Sequence, residues 1–510
     1  MLWQIGVPRL PLPPIFSTGD SSQYLYNTLD TTAPTKQKHP PGLYLLFFTE
    51  MWERFSYYGM RGLLTLYLIT EIDRGGLGFS DKMGPVIYGW FTGLVYLTPI
   101  IGGWLADNFL GQRRSILIGG LMMAAGQFCL AGGVTIDSFY QYALAATPAM
   151  GAGEQLSHVL AAIVGFPGLL LLLLGNGFFK PNISTLVGQL YEQGDPRRDS
   201  AFTIFYMGIN LGAFLAPLVC GIFAEDIFAS KDAAGSILHY GFRYGFLAAG
   251  IGMVLGQITF QSLAQKYLGN IGLMATKPAK GTVVVASEPL TKEEKDRMTV
   301  IFIVVVFVTF FWAGFEQAGS SLTIYTDRFI DRTVGSFTIP TSWFQSVNAL
   351  FIVALGGPTA ALWLYLANKK KDFPIPAKMA LGMILLGIGF FFMIAAVYER
   401  GGDSLDETIK ASIWWVILTY FFHTIGELCL SPIGLSMITR LAPVKYASMM
   451  MGVWFLSPFV AQVAGGYIAA YVEELGADAI FKLIAAFVIV AGVILFALNK
   501  SLVKMMHGRG

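Results

Sequence analysis

Apolar and polar residues alternate along this chain in long blocks, not at the short periods of a soluble protein. Predominantly apolar stretches fall at roughly 43–70, 83–109, 115–133, 161–188, 200–224, 242–268, 298–326, 343–367, 377–398, 411–438, 448–472 and 479–502. A helix needs about 20 apolar residues to cross a ~30 Å hydrocarbon core, so an all-α membrane protein with about twelve transmembrane helices is expected. Lys and Arg gather between the blocks, roughly 22 on the side shared by both ends and roughly 9 on the other, which puts both termini in the cytoplasm. Arg113-Arg114, Arg197-Arg198 and Lys369-Lys370-Lys371 then belong to cytoplasmic loops. Residues 1–42, rich in Pro, Thr and Ser, read as a cytoplasmic tail that lacks the basic start, apolar core and cleavage site of a signal peptide.

The polar stretch 269–297 divides the chain into an N-terminal six-helix bundle, 43–268, and a C-terminal one, 298–502, with a short tail at 503–510. Weak internal symmetry supports the division: the second block ends in GGWLADNFLGQRR and its counterpart, the eighth, runs through GGPTAALWLYLANKKK. Thr135 to Ser157 breaks the spacing, being too long for a hairpin and too polar for another crossing. An external loop with a short surface helix is expected there, with His158 at the membrane edge as a solvated or capping residue.

Composition agrees with a polytopic membrane protein, at 55% hydrophobic and 13% charged residues. A formal net charge of +2, with no basic arm, gives no reason to expect a nucleic-acid partner. Cys129, Cys220 and Cys429 all lie within apolar blocks and read as packing residues, so neither a disulfide framework nor a metal site is expected. No zinc-type His/Glu spacing, serine elbow or acid–histidine pair suggests an enzyme, and no cofactor is implied.

The first block holds the unusual chemistry. Phe47 to Leu66 contains Glu50, Glu53, Arg54 and Arg61 in an otherwise apolar helix, and at about 100° per residue these share one face with Tyr57 and Tyr58. At about 1.5 Å per residue, Glu50 and Arg61 lie roughly 16 Å apart along the axis, about half of the hydrocarbon core. The bland alternative is a structural Glu50–Arg54 salt bridge at i,i+4 that lets a helix pack or insert. Intramembrane ionisable residues are costly, however, and usually mark ion or substrate routes, so the stripe reads as the wall of a pathway.

Three further charges lie within spans: Lys180, Glu316 and Glu427. Measured from the cytoplasmic ends of their helices, Lys180 and Glu427 share the inner-half depth of Glu50 and Glu53, whereas Arg61 and Glu316 share a depth in the outer half. Height alone therefore pairs Arg61 with Glu316 outside and Lys180 with Glu427 inside, as alternating gates or as permanent struts. The four acids outnumber Arg54, Arg61 and Lys180 by one, which calls for a proton or a cationic ligand. Acids for an amine and bases for a carboxylate suit a zwitterion.

These residues resemble the proton-dependent oligopeptide transporter family of the major facilitator superfamily. The resemblance rests on Glu-x-x-Glu-Arg at Glu50, Glu53 and Arg54, on GGWLADNFLGQRR at 102–114, on FYMGINLGAF at 205–214 and on GELCLSP at 426–432, and it spans nearly everything from Leu43 to Leu502. It implies the major facilitator fold of two six-helix bundles in the cell membrane. It further implies symport of di- and tripeptides with protons through a central cavity, by rocking of the bundles. Carried over by residue, the peptide carboxylate would meet Arg54, Arg61 and Lys180, and its amino end Asn210, Asn348 and Glu427. Tyr57, Tyr58, Tyr96, Trp312 and Trp454 would line side-chain pockets, and Glu50, Glu53, Arg54 and Glu316 would couple the proton. Two departures stand out: 270–297 is too short and polar for the extra helix pair of many bacterial members, and Gly89 stands where mammalian members have a histidine. The alternatives are a family member carrying nitrate or another small anion, and a membrane receptor that does not transport.

Overall fold

The computed structural model describes residues 38–146, 153–192, 195, 197–233, 235–275, 290–404, 406–443 and 446–509. Twelve long helices run through it. In the first half they are α1 Pro41–Ile69, α2 Met83–Leu110, α3 Gln112–Ala146, α4 Gly153–Gln189, α5 Arg197–Ile222 with a π turn at Phe223–Ile227, and α6 Phe242–Leu268. In the second half they are α7 Lys292–Phe329, α8 Thr341–Asn368, α9 Ile375–Glu399, α10 Ile413–Leu441, α11 Ala447–Ala470 and α12 Ala477–Met505. Among the described residues eleven helices are apolar enough to cross a membrane by composition alone. The twelfth is α1, whose charged stripe is what sets it apart. Short two-stranded ribbons shape the outer loops: Ser230–Lys231 folds back on Ile237–His239 within one loop, and Ile330–Asp331 pairs with Ala411–Ser412 to tie two loops together.

Buried side chains form two clusters, one from Leu43 to Leu268 and the other from Val300 to Met506. In lipid, close approach of helices relies on small residues, because tails are as apolar as leucine and give no hydrophobic drive. Gly102 on α2 shows this: a Cβ there would come 2.1 Å from the Gly177 carbonyl oxygen of α4. Gly382 on α9 does the same against Gly426 on α10, at 2.6 Å.

Two helices depart from regular form for identifiable reasons. The α2 helix is interrupted between Leu94 and Thr98, immediately before Pro99, whose missing N–H and ring clash with the preceding turn break the ladder. The α7 helix tightens to a 3₁₀ turn at Glu316–Gly319 and resumes at Ser321, and this break sets Glu316 on the inner wall.

One expectation is corrected. Between Thr135 and Ser157, α3 continues to Ala146 and α4 begins at Gly153, so the stretch prolongs two membrane helices instead of forming a loop with a separate surface helix. Polar residues end the bilayer crossing there but not the helix, since a helix satisfies its own backbone outside lipid as well as inside. The His158 backbone lies in α4, while its side chain, residues 1–37 of the tail and residues 276–289 of the linker lie outside the described residues.

Both ends of the helical array are on one side, as an even number of crossings requires. His507, past α12, meets Asp296 at the start of α7 at 2.8 Å. The polar contacts joining the two clusters gather at the opposite, outer side. Arg328 forms an ion pair with Asp81, Thr65 Oγ1 donates to the Gly319 carbonyl at 2.5 Å, and Thr92 Oγ1 donates to Gln462 Oε1 at 2.9 Å. The molecule is therefore closed toward the outside.

Candidate functional site

The face of α1 that carries the charges is buried inside the N-terminal cluster. Glu50, Glu53 and Arg54 are 2%, 0% and 4% exposed. A buried carboxylate must be paired or hydrogen-bonded, and here one guanidinium serves two of them. Arg54 Nε lies 2.5 Å from Glu53 Oε2 and 3.1 Å from Glu50 Oε1. The second oxygen of Glu53 accepts a hydrogen bond from Asn176 Nδ2 at 3.0 Å. Glu50 Oε2 and Arg54 Nη2 are buried without a hydrogen-bond partner, so the cluster retains one acceptor and one donor for a proton, water or ligand.

Lys180 is one turn after Asn176 on α4. Its ammonium sits 5.2 Å from the centre of the Tyr96 ring, which receives it as a cation–π partner. Among the described residues it makes no ion pair with Glu427. That acid is engaged by the C-terminal half instead: Asn348 Nδ2 on α8 donates to Glu427 Oε2 at 2.9 Å and to Thr424 Oγ1 at 3.1 Å. The two residues expected to meet near the inside are thus apart, while the outside is closed.

Three turns further out on α1, Arg61 pairs with Glu316 across the two clusters. Arg61 Nε also donates to the Tyr88 hydroxyl at 2.7 Å, and the guanidinium lies 5.8 Å from the Tyr58 ring. Tyr57 stacks edge-on against Tyr58, with centroids 5.4 Å apart, so the aromatic pair stands between the inner acids and the outer ion pair. The remaining expected residues are more dispersed. Asn210 donates to the Tyr206 carbonyl of its own helix at 3.0 Å. Trp312 packs edge-on against Phe311 and Phe315, and Trp454 is buried against Gly434, where a Cβ would come 2.2 Å from the ring.

Three participants escaped the reading of the sequence. Asn176 was detectable in principle, because it precedes Lys180 by four residues and so shares its face. Tyr88 is the neighbour of Gly89 and supplies the hydroxyl that Arg61 uses. Thr424 precedes Glu427 by three residues on the same face of α10. None carries a charge, so the cost of intramembrane charge does not mark them in the sequence.

Asn176 is open to a direct test. Replacing it by leucine leaves Glu53 Oε1 buried without a donor, at a cost of about 1–3 kcal/mol. Asn176→Leu is expected to lower the unfolding temperature measurably, whereas Asn176→Asp should be worse still because it sets a third carboxyl against Arg54. Unchanged melting of both variants would mean that the amide does not hold Glu53.

Comparison with known proteins places this arrangement. The POT family model matches residues 113–272 and 261–490. An uncharacterised transporter of Bacillus subtilis, YclF, is 34% identical, over 92% of this chain and 96% of its own length. The peptide transporter YePEPT of Yersinia enterocolitica is 32% identical, over 85% of this chain and 88% of its own. A crystal structure of peptide transporter POT in complex with sulfate superposes with a TM-score of 0.78 at 34% identity, covering 92% of this chain and 96% of that one. A POT family transporter in complex with 5-aminolevulinic acid gives 0.77 at 28% identity, covering 91% and 97%. With twelve membrane helices in the major facilitator arrangement and a family match over most of its length, the chain belongs to the POT family of membrane transporters.

Proposed function

We propose that the protein is a proton-coupled symporter that takes up di- and tripeptides across the cell membrane by alternating access. The observation that carries this reading is the separation of charge in the interior. Arg54 pairs with two acids in the N-terminal cluster, where Lys180 also lies, and Glu427 stands in the C-terminal cluster, where among the described residues the Asn348 amide donates to it and no cation pairs with it. A zwitterion bridging the two would place its carboxylate on the basic side and its amine on Glu427. Relatives named as di-/tripeptide transporters, such as that of Lactococcus lactis, support a peptide as that zwitterion. The relative solved with 5-aminolevulinic acid holds another molecule with a carboxylate at one end and an amine at the other.

In this reading the bundles 43–268 and 298–502 rock about the cavity, joined by the linker 269–297. Arg54, Arg61 and Lys180 take the peptide carboxylate, Asn210, Asn348 and Glu427 its amine, and Tyr57, Tyr58, Tyr96, Trp312 and Trp454 the side chains. Glu50, Glu53, Arg54 and Glu316 link the proton to the peptide. Arg61–Glu316 is the outer gate, closed here, and Lys180–Glu427 the inner one, open here.

The test is transport of a small dipeptide panel into proteoliposomes under an imposed pH gradient, inside alkaline. Accumulation of dipeptide with proton entry is expected. Uptake of nitrate but not of dipeptide would replace the substrate, and dipeptide binding without proton movement in sealed vesicles would make the protein a receptor.

A further inference from the structure

The outer end of α8 begins without a cap of its own. Pro340 precedes the helix and offers no side-chain acceptor, so the N–H groups of Thr341 and Ser342 need an oxygen from elsewhere. The other bundle supplies it. Glu225, at the outer end of α5, accepts from Thr341 N–H through Oε2 at 2.5 Å and from Ser342 N–H through Oε1 at 3.0 Å. All three residues are buried, with Glu225 3% exposed. Glu225 lies within the π turn Phe223–Ile227, a widening of the helix that alters which way its side chains point.

The groups facing this carboxylate come from several elements. Arg332 Nη1 lies 3.9 Å from Oε2 and is itself held by Asp327 at 3.0 Å. Asp327 also accepts the Thr341 hydroxyl at 2.7 Å. Among these groups Glu225 alone belongs to the N-terminal bundle. Further along, α5 and α8 touch as a strip. Trp343 Nε1 donates to the Leu218 carbonyl at 3.0 Å and Ser346 Oγ to the Phe214 carbonyl at 2.8 Å. The approach needs a glycine at 221, where a Cβ would come 1.9 Å from Ser342 Oγ.

We propose that Glu225 is an outer latch, a positioning residue that holds α8 against α5 when the transporter is closed to the outside and must let go each time it opens outward. The proposal rests on the alternating-access reading above, because only bundles that part at their outer ends would break this contact. It reaches the central site through α8, which carries Asn348 two turns inward from Thr341 and, through it, Glu427. Release is reversible because water can follow it. A cavity of about 460 Å³ adjoins the latch, lined by Glu225, Asp327, Arg332, Tyr240, Arg74 and Pro340 among others, so solvent can satisfy the two N–H groups and the carboxylate once they separate.

Glu225→Gln keeps the volume but turns one acceptor into a donor that faces an N–H, whereas Glu225→Asp keeps both acceptors on a shorter stem. Spin labels at Phe228 and Val334, both exposed on the outer side of opposite bundles, report the separation in liposomes without substrate, in a chain whose three native cysteines are replaced. Glu225→Gln is expected to raise the outward-open fraction about tenfold, equivalent to about 1.4 kcal/mol, with Glu225→Asp falling between it and the parent. A distance distribution unchanged in Glu225→Gln would overturn the latch, even if its melting temperature fell, since a merely structural carboxylate would alter stability alone. Failure of the parent to carry dipeptides would overturn the substrate reading and leave this distance measurement as the test of the latch.

Discussion

Glu53→Gln is expected to abolish gradient-driven accumulation of a dipeptide while sparing exchange of labelled for unlabelled peptide across the membrane. Glu53 is fully buried between Arg54, at 2.5 Å, and Asn176, at 3.0 Å, so its charge is felt at close range by the guanidinium proposed to meet the peptide carboxylate. In its ionised state the acid holds Arg54. When protonated it holds Arg54 less, and the cation becomes available to the peptide, so that proton and peptide favour each other's binding by the same factor. One proton entering contributes about 2.3 kcal/mol per 100 mV and about 1.4 kcal/mol per pH unit, enough together to concentrate a neutral peptide several hundredfold. Glutamine imitates the protonated acid and cannot release a proton inside. Its accumulation ratio should therefore collapse from several hundred to about one. Glu50→Gln is expected to behave alike, because Glu50 lies 3.1 Å from the same guanidinium and has an oxygen free for the proton. Full accumulation by both variants would move the coupling role to Glu316.

Removing one member of the Arg61–Glu316 pair should shift the outward-closed state by two to three orders of magnitude. Both side chains are largely buried, and Arg61 is further held by the Tyr88 hydroxyl at 2.7 Å. Breaking a buried pair costs about 3–5 kcal/mol, because the surviving charge has lost its partner and has no water, and that is about a hundredfold to a thousandfold or more in population. Replacing both members by apolar residues leaves no stranded charge and is often close to neutral. A cysteine at Thr65, which is buried beside the Gly319 carbonyl, reads the difference through labelling by a membrane-impermeant thiol reagent from outside. Slow labelling in the parent, fast labelling in Arg61→Met and slow labelling again in Arg61→Met with Glu316→Leu are expected. A permanent strut predicts something else: Thr65 would stay sealed in the parent even with peptide and a proton gradient driving the cycle.

The inner acids and the outer ion pair differ in how far the sequence carried them. Glu50, Glu53, Arg54, Tyr57, Tyr58 and Arg61 share a helical face by spacing alone, and their cost in lipid demands that the face turn inward. The meeting of Arg61 with Glu316 is approached by depth, because twelve helices of known direction put their residues at calculable heights. Height does not say which partner is met at that height. Lys180 lies over Tyr96 and Glu427 bonds to Asn348, although each stands at the depth of the other. The difference is the tilt of one bundle against the other, which no periodicity records.

Neutral partners were the least legible. Asn176, Tyr88 and Thr424 are ordinary residues for a membrane helix and acquire meaning only from the charged atom within hydrogen-bond reach. Glu225 was unreadable for the opposite reason. It stands at the end of an apolar block, where a carboxylate normally faces water, and only the approach of α8 buries it.

By itself the sequence determined the helices, their order and direction across the bilayer, and the inward turn of the α1 stripe, because hydrocarbon tolerates neither unpaired backbone nor unpaired charge and both are written in single residues along one chain. Where α3 and α4 stop was not among these. Outside the bilayer a helix and a loop satisfy their backbones equally well, and polar residues do not separate them. The tertiary structure alone decided that the outer contacts are made and the inner pair is apart, since that choice is a few hydrogen bonds and ion pairs between two bundles that the same sequence can bring together at either end.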